Sequence, residues 1–222
     1  MIQQLISILK HKGYQLHNQP YQLNIVGVRS TNTEANRFDD MLYVFFKDER
    51  LHWNYAKYKI TTDPGTYWLE HPLNVDGTAI LKEGQYVDTY VLGLHKGQYK
   101  ALVEAKPVTV IRDYERKALL DFLNGKEETG YFGINIHHAK AKGVTTSVDK
   151  WSAGCQVFEN AEDFAQFISL CEKHKSYYGN HFTYTLIDNR AIGRQNRRWL
   201  FYGIGAGALT VGGIITWYLL KK

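Results

Sequence analysis

Two cysteines and four prolines in 222 residues are too few for a disulfide-stapled scaffold or an extended proline-rich chain. No H-E-x-x-H run occurs, and His52, His71 and His95 lack ligand spacing, so no metal is expected among the nine histidines. A phosphate-binding glycine loop and a dinucleotide fingerprint are also missing, and no cofactor is expected. Acidic charge is absent from one region: six of the 27 basic residues and none of the 22 acidic ones lie in Arg190–Lys222, leaving 21 basic against 22 acidic before it. The body is therefore near neutral. That excludes a nucleic-acid module, which carries its excess charge on a folded face. What the chain does have is apolar material, 44% hydrophobic and 14% aromatic residues, enough for a core in one folded body with an appendage.

The opening MIQQLISILKHKGY has no basic stretch ahead of its apolar residues and no small-residue cleavage site, so it does not read as a secretory signal. Ile2, Leu5, Ile6 and Leu9 recur at helical spacing, which predicts an amphipathic helix within residues 1–20, docked on the body. At the other end, Trp199–Leu220 is 22 residues without a charged side chain. At ~1.5 Å per residue it spans ~33 Å, the thickness of a bilayer core. Trp199 and Tyr202 stand at one end of it, Trp217 and Tyr218 at the other, and Arg197, Arg198, Lys221 and Lys222 bracket the whole. This predicts a single-pass C-terminal membrane anchor behind a basic linker, residues 188–198. Gly203 and Gly207 form a G-x-x-x-G pair that would let two such helices pack as a weak dimer. The four arginines of Arg190–Arg198 outnumber the two trailing lysines, a bias that favours a cytoplasmic body.

Between residues 21 and 187 most segments read as strands, rich in β-branched and aromatic residues: Leu23–Val28, Met41–Phe46, Thr66–Leu69, Tyr86–Leu92, Lys100–Ile111, Tyr131–His137 and Phe182–Ile187. Glycine turns punctuate them at Asp63-Pro64-Gly65, Val75-Asp76-Gly77, Lys82-Glu83-Gly84 and His95-Lys96-Gly97. Helices are predicted at Asp113–Leu123 and at Ala161–Lys175, the second capped by Asn160 with Phe164, Phe167, Ile168 and Cys171 on one face. Cys171 then reads as core filling. The expected fold is mostly β, sandwich-like or barrel-like, with α-helices packed on it.

Chemistry concentrates in Gly133–Phe158, where a strand ending in His137 and His138 leads through a polar loop to Ser152-Ala153-Gly154-Cys155. A thiol nucleophile needs a neighbouring base, and an adjacent glycine lets substrate and backbone approach closely. Strand alternation groups His138 with Phe132, Ile134 and Ile136, and His137 with Gly133 and Asn135, which favours His137 as the base. The histidine precedes the cysteine, the reverse of the papain-like order.

These residues resemble the L,D-transpeptidase catalytic domain, a family of cysteine enzymes acting on the stem peptides of bacterial peptidoglycan. Its pattern, Ile-His on a strand followed by a Ser-His-Gly-Cys turn, is matched by Ile136-His137 standing 18 positions before Cys155. Thr61–Tyr67 looks like the family's Thr/Pro/Gly turn entering a strand, and the likeness extends over about residues 24–187. The resemblance implies Cys155 as nucleophile, His137 as base, and the N–H groups of Gly154 and Cys155 around the oxyanion. A carbonyl near His138 would orient the imidazole. Candidate substrate contacts are Trp151, Ser152, Gln156, His138 and Asn135. Two positions depart from the pattern: Ala153 stands where the family has histidine, and Val157 where it has arginine. The expected partners are therefore peptidoglycan stem peptides and, through Trp199–Leu220, a membrane. The substrate favours the cell-wall side, against the charge bias of the tail. An endopeptidase using the same site, and an inactive wall- or partner-binding protein on the same scaffold, stand as alternatives.

Overall fold

A computed structural model describes residues 1–122 and 124–189. The run Asn-Ile-Val-Gly-Val-Arg at Asn24–Arg29 (β1) is buried along its whole length, as befits a strand covered on both faces. It pairs in parallel with Phe182–Asp188 (β11) and antiparallel with Asp40–Lys47 (β2). Trp53–Thr61 (β3), Gly84–His95 (β5), Tyr99–Glu104 (β6), Ile136–His138 (β9) and Gln156–Phe158 (β10) complete a closed barrel in the order β1-β11-β5-β6-β9-β10-β3-β2. A second sheet of three strands runs Thr78–Leu81 (β4), Val108–Asp113 (β7), Lys126–Gly130 (β8). Closure leaves the barrel no open edge. The mostly-β expectation holds, in its barrel form.

The core joins the barrel interior (Ile25, Leu42, Val44, Ile60, Tyr90, Tyr184) to Phe164, Phe167 and Cys171 of α3 (Ala161–Tyr178). Asn160 caps that helix by accepting the Glu162 N–H, and Cys171 is fully buried. At the N-terminus, α1 (Ile2–His11) buries Leu5, Ile6, Ile8 and Leu9. Met1–Asp188 form one compact unit. The expected linker beyond Asn189 and the span Trp199–Leu220, with its Gly203/Gly207 face, lie outside the described residues. Among the described residues no helix is long and apolar enough to cross a membrane.

Four segments differ from expectation, each for a local reason. Thr66–Leu69 is not a strand but part of a single helical turn, α2 (Thr66–Glu70), started at Gly65 and pinned by fully buried Leu69. Asp113–Leu123 does not form the expected helix: the Asp113 carboxylate accepts the N–H groups of Glu115 and Asp121, and that side-chain competition holds the described residues of the segment in turns. Ala35 and Leu120 instead bond across to Ala118 and Thr33. Lys100–Ile111 is two strands in two sheets, broken around Pro107, which has no N–H to give a ladder. Only the end of Tyr131–His137 is strand, because the Glu104 carboxylate takes the N–H groups of Phe132 and Ile134, and Gly133 turns the chain at φ +70.

Candidate active site

β9 and β10 lie side by side in parallel, Val157 opposite His137 and Gln156 opposite Ile136. Parallel neighbours require a crossover. Here it is the loop from Ala139 to Cys155, and it delivers the cysteine beside the start of the strand that carries the histidine. Gln156 N–H donates to the Asn135 carbonyl at 2.9 Å, and Asn135 N–H reaches Cys155 Sγ at 3.4 Å.

The cysteine turn is braced from below. Ser152 is fully buried; its hydroxyl donates to the Cys155 carbonyl at 2.8 Å and accepts the Gly154 N–H at 3.1 Å. Its carbonyl accepts the Gly65 N–H at 2.9 Å, so the Thr61–Gly65 turn supports the cysteine turn. That turn, expected to enter a strand, enters α2 instead, and Gly65 is glycine because a Cβ would collide with the Asp149 backbone. Gln156 is buried too, its amide donating to the Gly154 carbonyl at 3.3 Å and accepting the Tyr184 hydroxyl at 2.8 Å. Ser152 and Gln156, expected as substrate contacts, therefore sit beneath the turn and line neither of the two cavities described below. Gly154 has φ +125, a conformation open essentially to glycine alone, and a Cβ there would run into the Ala79 carbonyl of β4. Its N–H, already given to Ser152, is not free for an oxyanion as expected.

Behind Asp63 a buried cluster fixes the supporting turn. Arg29 pairs with Asp63 at 2.9 Å and donates to the Thr62 hydroxyl, while Asp40 accepts the Thr62 N–H and hydroxyl. One guanidinium thus faces two buried carboxyls, and burial pushes Asp63 up to about 7, against the lowering pull of Arg29.

His137, 4% exposed, gives its Nδ1–H to the His138 carbonyl at 2.8 Å, which leaves Nε2 as the basic nitrogen. Tyr99 Oη lies 3.3 Å from the same Nδ1, and the His95 ring stacks on His137 at 4.1 Å. Asn135 Nδ2 is 3.1 Å from His95 Nδ1, which ties the stacked ring to the residue whose N–H reaches Cys155 Sγ. His138 occupies the other face, stacked on Tyr99 at 4.1 Å and packed edge-on against Phe164. Burial, helped by the neighbouring His95, lowers His137 to about 3. The Cys155 residue is partly exposed but its sulfur is closely surrounded, and this desolvation pushes the thiol up to about 11, against the lowering pull of the Asn135 N–H and of Lys96. Burial thus favours a neutral thiol at Cys155 and a neutral imidazole at His137, and the thiol donates to the Gly133 carbonyl at 3.4 Å.

Cys155, His137, Asn135 and Trp151 line a cavity of about 590 Å³ with His95, Lys96, Trp68 and Arg112. A second, of about 510 Å³, shares His95, Lys96, His137, Lys150 and Trp151 and adds Tyr99 and His138. Trp151 is 42% exposed, a cavity wall and not a core residue. Ala153 also faces the larger cavity, whereas Val157 is fully buried against Phe38, Ala139 and Val148. Sequence reasoning missed His95, Lys96 and Tyr99 as site residues; the only signal was the turn His95-Lys96-Gly97. Among the described residues no group of three or more histidine, cysteine, aspartate or glutamate side chains is placed to hold a metal ion. Comparison with protein-family models, curated proteins and solved structures finds no match for this chain.

Proposed function

We propose that the chain is a cysteine acyltransferase of the L,D-transpeptidase type, acting on the stem peptides of peptidoglycan. The observation that carries this reading is that His137 of β9 and Cys155, at the turn entering β10, line one cavity, with the His137 tautomer set by the His138 carbonyl. In the reaction Cys155 Sγ–H passes its proton to His137 Nε2 as the sulfur attacks the carbonyl carbon. The peptide C–N bond breaks, the His137 proton goes to the leaving amine, and a thioester remains. An acceptor amine, or water, then attacks the thioester; it gives its proton to His137, which returns it to the departing sulfur. The two cavities meeting at His137 suit a donor and an acceptor that enter separately. Attachment of the body to a membrane through Trp199–Leu220 belongs to the same proposal.

A second reading, a binding protein that keeps the scaffold without turnover, is favoured by the resting neutral thiol, the engaged Gly154 N–H and the Ala153 and Val157 departures. Purified muropeptides followed by mass separate the two. A Cys155→Ser variant should lose all acyl transfer and hydrolysis while its melting temperature stays near that of the parent. Turnover surviving in Cys155→Ser defeats the enzyme reading as stated; binding without turnover in the parent supports the second.

A further inference from the structure

The two cavities carry charge of one sign. Lys96, Arg112 and Lys150 line the larger, Lys96, Lys140 and Lys150 the smaller, and neither wall holds an aspartate or glutamate. The cations are not equivalent. Arg112 is spent, paired with Glu128 at 2.7 Å and donating to the Gly77 carbonyl at 3.1 Å. Lys150 Nζ lies over the Tyr67 ring at 4.2 Å, and Lys140 faces only the smaller cavity. Lys96 lines both, and among the described residues its ammonium has no ion-pair or hydrogen-bond partner. It sits in the three-residue loop between β5 and β6, where Lys96 at φ +49 and Gly97 at φ +72 are both left-handed. A long side chain at a left-handed position carries a conformational cost that asparagine or glycine would lessen. That backbone holds a free cation next to His95, whose ring stacks on His137.

We propose that Lys96 is a specificity-determining residue that anchors a carboxylate, so that peptides with a free acidic group near the reacting carbonyl are selected in both cavities. It takes up the part that position 157 cannot play, since Val157 faces the core. The inference rests on the reading of Cys155 as the nucleophile, and its test needs no peptidoglycan. The full chain, kept in solution with neutral detergent, is treated at pH 9 with iodoacetate or iodoacetamide, and the modification of Cys155 is followed by peptide mass. Both reagents alkylate the same sulfur and differ in the carboxylate, so the ratio of their rates cancels changes in thiol ionisation. The parent should favour iodoacetate relative to free cysteine. Lys96→Met should lower the ratio by about two- to fivefold, the scale measured for one exposed ion pair, and Lys96→Arg should keep it. High salt should erase the preference. An unchanged ratio in Lys96→Met, or an equal loss in Lys150→Met, overturns the anchor while leaving the nucleophile in place. If Cys155 reacts with neither reagent in the folded chain but does so after unfolding, the nucleophile reading falls and the anchor with it.

Discussion

Gly154→Ala tests whether the nucleophile turn is held against the second sheet. Two costs add at this position. A φ of +125 is outside what an L side chain adopts, and such strained residues cost on the order of 1–3 kcal/mol. The new methyl would also overlap the Ala79 carbonyl, part of a paired strand that cannot swing aside, and overpacking of that kind costs roughly 1–3 kcal/mol more. The sum, about 2–6 kcal/mol, should lower the melting temperature by roughly 4–24 °C at ~2–4 °C per kcal/mol for a chain of this size. Gly13→Ala is the matched control: φ is +69, but nothing lies within 4 Å of the added Cβ, so only the left-handed cost of ~1–2 kcal/mol applies. If the turn yields before the fold does, the loss appears instead as a changed rate of Cys155 alkylation by iodoacetamide. Calorimetry and alkylation together therefore cover both routes. A Gly154→Ala chain that melts and alkylates like Gly13→Ala would refute the claim that β4 positions the cysteine.

His137→Gln should lower turnover of muropeptides by roughly 10²–10⁴-fold, against a much smaller loss in His138→Gln, whose ring is stacked on Tyr99 and edge-on to Phe164. The alkylation rate of the parent should climb with pH to a midpoint above that of an ordinary thiol, because burial disfavours the thiolate; a midpoint below pH 8 would show the pair resting as ions. His174 accepts the Leu23 N–H at 3.0 Å, and burial lowers it to about 4, so the unfolded chain takes up that proton first. Stability from this group is present above pH 6.5 and lost as pH falls toward 4; the denaturant midpoint of His174→Gln should change less over that window than the parent's.

Local signals carried much of the fold. Asn160 and the Phe164, Phe167, Cys171 face were enough to place α3, and runs rich in β-branched and aromatic residues placed β1, β2, β5 and β11. β8 is Lys-Glu-Glu-Thr-Gly, polar throughout and without a buried residue, so it holds its place through its ladder with β7, which no local pattern announces. β3 begins on an exposed stretch that dilutes its alternation, and β4 has only four residues. Asp113–Leu123 misled because a helical composition lost to a carboxylate two and eight residues away from the amides it binds.

The site divides along the same line. Cys155 and His137, the proposed nucleophile and base, stand out in the sequence because a single crossover loop separates them, and the parallel pairing of β9 and β10 brings both to one cavity. His95, Lys96 and Tyr99 arrive on a hairpin some 40 positions earlier, through the pairing of Leu102 in β6 with Ile136 in β9, and no spacing rule connects them to the cysteine. This also changes what the Val157 departure means. Read along the chain, an arginine is simply missing; in the barrel, position 157 is filled by core packing against Phe38 and Val148, while a cation stands at the cavity on a different strand pair. β6, β9 and β10 are consecutive neighbours in the closed barrel, so residues of all three border one site. Under the proposed reading, a substitution that looks disabling in one segment is to be weighed against every strand bordering the cavity, and the bordering hairpin brings Lys96 to it.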